Sequence, residues 1–194
     1  MKIPVAKIFA RYIVNKNKKW VNNPVICQQK TFKKLIASGS KTIFGKDHNF
    51  NRISNPIDFS KQVPVRDYEG LSSYIDRIVL GEEDVLWPGK PIYFSKTSGT
   101  TSGAKYIPIT KESMPTHINS TRDALLTYIN HTGNTDFIKG KQIFIQGSPK
   151  LDYKNGVALG RLSGIVAHYI PSYLQKSRMP SWDTNCIEDW EEKV

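Results

Sequence analysis

Cysteine is scarce in this chain of 194 residues, and the two present, Cys27 and Cys186, lie far apart and in no metal-ligand spacing. Their scarcity excludes a disulfide-stapled fold and a thiolate zinc site, and a reducing cytosolic compartment is expected. Long apolar runs are missing too. No stretch approaches the length that spans a bilayer, and Lys7 and Arg11 interrupt the apolar residues near the N-terminus that a signal peptide needs unbroken. Neither Gly-x-Ser-x-Gly nor Glu-x-x-His occurs. The four histidines, His48, His117, His131 and His168, are too scattered for a triad or a metal site.

Acid is nearly absent from the first quarter. Residues 1–52 carry twelve Lys/Arg against Asp47 alone, whereas residues 53–194 carry sixteen of each sign, so the whole formal charge of +11 lies ahead of residue 53. A basic start of this kind can serve a polyanion or an anionic membrane surface. Surfaces that read phosphate interleave aromatics and arginine among the lysines, and here only Arg11 and Trp20 do so. The lysines are therefore read as the solvated faces of two surface helices, with no membrane or nucleic-acid partner expected. A non-catalytic polyanion-binding domain built on Lys16, Lys18 and Lys19 is the alternative.

What is present is enough apolar material, 39% of residues, for a domain with a core. Val5, Ile8, Phe9, Tyr12 and Ile13 follow helical spacing and predict an amphipathic helix over 4–19 with that stripe inward. Asn23-Pro24 starts a second helix that carries Ile26, Phe32, Leu35 and Ile36 and stops at Gly39, while the polar residues 40–62 read as a connection. A third helix spans Tyr68 to Leu80, and a fourth runs from an N-cap at Ser113 to Gly133. Ile92-Tyr-Phe and Tyr106-Ile-Pro-Ile read as paired strands, and Gln142–Gln146 as a short buried one. Helices alternating with strands give an α/β class, a sheet flanked by helices.

Between the paired strands lies the segment with the most chemistry, Phe94-Ser-Lys-Thr-Ser-Gly-Thr-Thr-Ser-Gly-Ala-Lys105. Gly99 and Gly103 allow the backbone to approach a polyanion, Ser98, Thr100, Thr101 and Ser102 supply hydroxyl donors, and Lys105 supplies a cation. A Walker A loop needs Gly-Lys-Ser/Thr at its end, and Ala104 and Tyr106 flanking the lysine exclude that motif. Arg122-Asp123 on the fourth helix is read as an exposed charge pair rather than as a wall of a ligand pocket.

From Thr97 to Lys105 the segment resembles the phosphate-binding signature of adenylate-forming enzymes, with Ser102 and Ala104 standing where most of that superfamily has glycine and proline. Together with Phe44-Gly-Lys, Val63-Pro-Val-Arg-Asp-Tyr-Glu, Tyr74-Ile-Asp-Arg-Ile and Leu86-Trp-Pro-Gly in that order, it resembles the Gretchen-Hagen-three family of acyl acid amido synthetases. The resemblance implies the N-terminal part of a large domain with helices flanking a mixed sheet, left incomplete, and no C-terminal lid. It implies a basic helical region over 1–62 and the start of a nucleotide-binding domain over 63–194, completed by the remaining C-terminal part of the enzyme. It also implies a ligase using ATP and Mg²⁺ on a small carboxylic acid and an amino acid. Thr97, Ser98, Gly99, Thr100, Thr101, Ser102, Gly103 and Lys105 would hold the phosphates, and Lys105 would act in catalysis. An acyl-CoA synthetase shares the loop and is a further alternative.

Overall fold

A computed structural model describes residues 3–97 and 105–193. In chain order the elements are α1 (Ile3–Val21), α2 (Pro24–Gly39), α3 (Ile43–Asp47), α4 (Pro56–Gln62), α5 (Ser72–Val79), β1 (Tyr93–Lys96), β2 (Tyr106–Ile109), α6 (Met114–Thr132), β3 (Gln142–Ile143), β4 (Asp152–Lys154), β5 (Val157–Gly160), α7 (Leu162–Ala167), α8 (Ser172–Gln175), β6 (Arg178–Met179), α9 (Trp182–Cys186) and α10 (Trp190–Lys193). Four strands form one sheet in the order β2-β1-β5-β4, with β1 and β2 antiparallel, and β3 pairs with β6 in parallel. The class is mixed α/β, as the alternation of periods predicts.

Two compact units are present: Met1–Lys19 with Lys111–Asp152 and Ala158–Val194, and Trp20–Thr110 with Tyr153–Val157. The end of the expected N-terminal region at residue 62 falls inside the second of these.

In the first unit, α1 buries a different stripe from the expected one. Ala6, Ala10 and Ile13 are inside, whereas Val5, Ile8 and Tyr12 are more than half exposed. The cause is packing distance, because Ala10 and Ile13 share a cluster with Leu126 and Ile129 of α6, and alanine allows the two backbones to approach. The lysines of α1 do face outward. Gly133 ends α6 at φ 68°, its N–H donating to Ile129 O at 2.8 Å, the left-handed stop expected there. The segment 142–146 departs from expectation. Only Gln142–Ile143 pair as strand, and the side chains of Ile143 and Ile145 are 79% and 102% exposed rather than buried.

In the second unit, residues 40–62 are helical turns rather than a plain connection. Thr42 is fully buried and caps α3, its hydroxyl donating to Gly39 O at 2.7 Å and accepting from Gly45 N at 3.0 Å. Asn55-Pro56 starts α4 as Asn23-Pro24 starts α2, and Asn55 Oδ1 accepts from the N–H groups of Ile57 and Asp58 at 2.9 and 3.0 Å. Phe50, Ile36 and Ile53 form the core here, with Phe44 and Phe59 against it. His48 belongs to this core, its Nδ1 bonded to Phe44 O at 2.8 Å and its ring stacked on Phe44.

Glycine at 39 and 45 answers a steric demand. A Cβ at Gly45 would stand 1.9 Å from the carbonyl oxygen of Gly39, and one at Gly39 would stand 2.8 Å from the Phe50 ring. Gly45→Ala is therefore expected to destabilise the protein by on the order of 3 kcal/mol or more, since backbone must move. Gly81→Ala, where φ is 99° but no atom lies within 4 Å, should cost only about 1 kcal/mol of conformational strain. Chemical denaturation of both variants checks this, and equal effects would remove the packing explanation.

Candidate phosphate-binding hairpin and apolar cavity

β1 and β2 pair over Tyr93↔Ile109, Phe94↔Pro108, Ser95↔Ile107 and Lys96↔Tyr106, and Thr97 N–H then donates to Lys105 O at 3.1 Å. The two ends of the expected phosphate loop are thus brought face to face at the mouth of a hairpin. Ser98, Gly99, Thr100, Thr101, Ser102 and Gly103 lie outside the described residues. The hairpin is anchored from beneath by Phe94, fully buried and edge-on to Tyr106.

Lys105 is held by residues that sequence reasoning did not assign to the site. Its Nζ is 2.8 Å from Glu69 Oε1 and 4.9 Å from the centre of the Tyr68 ring. Tyr68 is itself fixed, because its hydroxyl oxygen accepts from Tyr106 N–H at 2.9 Å. Glu69 opens a short helical turn, Glu69–Leu71, ahead of α5. The hydrogen bond from Lys105, followed by one from its own backbone, holds the Glu69 carboxyl below the usual carboxylate range. Tyr68 and Glu69 both lie in the motif Val63-Pro-Val-Arg-Asp-Tyr-Glu, but nothing local ties that motif to Lys105, since 38 residues separate Tyr68 from Tyr106 and only the fold brings them together. Lys154 lies over the other aromatic, 4.8 Å from the Tyr106 ring centre. The hairpin mouth therefore carries two cations on aromatic faces.

The first unit holds a cavity of about 380 Å³. Its walls are apolar side chains such as Leu126, Phe137, Phe144 and Tyr169, interrupted by Arg122 and Arg178. The Arg122-Asp123 pair is made, with Nη2 to Oδ1 at 2.7 Å, and Asn17 Nδ2 donates to Asp123 Oδ2 at 3.1 Å. It is only half exposed, and Arg122 lines the cavity as well, so its reading as a plain surface pair is corrected. Arg178 is 7% exposed, with Nη2 donating to Gln146 Oε1 at 2.5 Å and its guanidinium 4.7 Å from the Phe144 ring centre. Burial lowers the affinity of Arg178 for its proton below the ordinary value.

Among the described residues no three His, Cys, Asp or Glu side chains are grouped to hold a metal ion. No helix among them is long and apolar enough to cross a membrane. His168 Nε2 is bonded to Pro149 O at 2.7 Å, a structural contact.

The sequence profile of the GH3 family N-terminal domain matches residues 14–194. Jasmonoyl–L-amino acid synthetase JAR4 of Nicotiana attenuata is 29% identical over 137 residues, 69% of this chain and 23% of that protein. A solved structure of the GH3.15 acyl acid amido synthetase superposes with a TM-score of 0.64 at 21% identity, over 84% of this chain and 28% of its own, which is a likeness of fold. Another, AtGH3.15 acyl acid amido synthetase in complex with 2,4-DB, gives 0.57 at 28% identity over 71% and 24%. The chain thus spans about a quarter of the length of the proteins it matches. With the family's motifs in order and its N-terminal domain matched from residue 14 onward, this chain belongs to the GH3, or Gretchen-Hagen-three, family.

Proposed function

We propose that the chain supplies the nucleotide-phosphate site and part of the acid pocket of an ATP-dependent acyl acid amido synthetase. The observation that carries this reading is Lys105 at the closed mouth of the β1–β2 hairpin, held there by an exposed carboxylate and an aromatic ring. A lysine with so weak a partner can exchange it for phosphate oxygens, because solvent screens an ion pair to an exposed carboxylate. The donor set suits ATP: hydroxyls from Ser98, Thr100, Thr101 and Ser102, backbone N–H groups made accessible by Gly99 and Gly103, and Lys105 as the cation. Mg²⁺, when bound with the nucleotide, would offset phosphate charge beside Lys105.

The reaction has two steps. A carboxylate oxygen attacks the α-phosphorus and the bond to the leaving pyrophosphate breaks, giving an acyl adenylate. The amine of an amino acid then attacks the acyl carbon, AMP leaves, and an amide forms. Lys105 offsets charge that grows on the pyrophosphate, a contact that strengthens toward the transition state. The apolar body of the acid is assigned to the cavity between α6, α7 and α8. Relatives that act on acyl acids, including one solved with 2,4-DB, support an acid of that kind here.

In a protein carrying these residues at its relatives' full length, Lys105→Ala should lower carboxylate-dependent ATP/pyrophosphate exchange by on the order of 10²-fold. Lys90→Ala, which removes a surface cation paired with Glu83, should leave it unchanged. A loss under about threefold for Lys105→Ala, roughly 0.7 kcal/mol, would return the loop to a solvated turn.

Glu69→Gln removes the anion that competes with phosphate for Lys105. The KM for MgATP should fall several-fold with kcat little changed, because ground state and transition state gain equally. The pair also carries a pH signature. The Glu69 carboxyl is lowered in the folded protein, so its contribution to stability is present above the ordinary value of 4.5 and lost as pH falls below it. Acid unfolding of wild type and Glu69→Gln should therefore converge below that range, and curves that stay parallel down to pH 3 would contradict the pairing.

A further inference from the structure

Arg178 stands out as a buried cation with no anion. Its guanidinium meets two neutral oxygens, Gln146 Oε1 at 2.5 Å and Gln175 Oε1 at 3.4 Å, and the face of Phe144. No described acidic side chain pairs with it, and its Nε is shut off from solvent without a hydrogen-bond partner. Arg122, the other cation of the cavity, already has Asp123. A desolvated charge lacking a counter-ion is among the costlier arrangements in a protein interior, and arginine does not escape it by losing its proton. Carbonyl oxygens and a ring face meet only part of the demand. The remaining part is met when an anion arrives in the cavity that Arg178 lines.

We propose that Arg178 is the anion-recognising residue of this cavity, pairing with the carboxylate of a small acid whose aromatic or branched body fills the apolar walls. This deepens the reading of the cavity as the acid's pocket and rests on it. Gln146 and Gln175 are positioning residues that hold the guanidinium against Phe144. Two features select the acid rather than the amino acid. The walls are apolar, and neither of the charged side chains named on them is an anion that could receive an ammonium.

The test uses binding without nucleotide, so that it stands apart from adenylation. The chain is titrated calorimetrically with 4-phenylbutyrate, with 4-phenylbutan-1-ol as the same body without charge, and with L-phenylalanine as the amino acid arm. Wild type should prefer the acid over the alcohol by tenfold or more, as a charge-assisted hydrogen bond in a desolvated site implies, and should bind phenylalanine far more weakly. Arg178→Gln should abolish the preference while still binding the alcohol, and Lys139→Gln, which removes a surface cation paired with Asp136, should keep it. Arg178→Lys, which retains charge but loses the planar fork, should reduce the preference several-fold and serves if Arg178→Gln unfolds. The proposal is overturned if wild type binds neither body or shows no preference, if the preference survives in both Arg178 variants, if it disappears with Lys139→Gln, or if phenylalanine binds best. Failure of ATP/pyrophosphate exchange with this preference intact would count against adenylation and leave the role of Arg178 standing.

Discussion

A lysine ammonium at the mouth of a closed hairpin is the element on which the proposed phosphate site depends. The backbone bond from Thr97 to Lys105 fixes where the side chain starts, and the Tyr68 hydroxyl, bound to the next N–H along at Tyr106, fixes the ring beneath it. Glu69 holds the ammonium, and under the proposed function a stronger anion replaces it. The geometry is fixed by backbone while the charge contact is weak and exchangeable, and a phosphate-binding residue needs both properties.

The rest of the second unit serves that geometry. α5 follows directly on Glu69 and buries Ile75, Ile78 and Val79, so the turn that carries the carboxylate is anchored by a helix with a buried face. Tyr74 of the same helix donates to Asp47 Oδ2 at 2.8 Å and meets Phe44 edge-on, tying α5 to α3. α3 in turn can sit where it does only because residue 45 has no side chain to strike Gly39. A steric requirement for glycine in Phe44-Gly-Lys thus supports the element from which the lysine's partner extends.

Local chemistry was legible in the sequence and long-range chemistry was not. The paired strands, the left-handed stop at Gly133 and the Asn23-Pro24 start all follow from propensities within a few residues. Asn55-Pro56 carries the same signal inside the polar stretch 40–62, and it starts α4. Periodicity weights large side chains and so points to the wrong stripe on α1, where close helix packing selects Ala6 and Ala10. Ile143 and Ile145 look like core in the sequence and are exposed. Glu69 closes the motif Val63-Pro-Val-Arg-Asp-Tyr-Glu, but its contact with Lys105, like the surroundings of Arg178, comes from partners the fold delivers.

The central claim is that nucleotide phosphate displaces Glu69 from Lys105. Competitive acetylation of the chain, read lysine by lysine by mass spectrometry with and without saturating MgATP, tests it most directly. The account predicts that Lys105 loses reactivity on adding nucleotide while Lys90 does not. Unchanged labelling of Lys105, with protection appearing instead on Lys16, Lys18 and Lys19, would contradict the hairpin site and place the polyanion on the basic N-terminal helix.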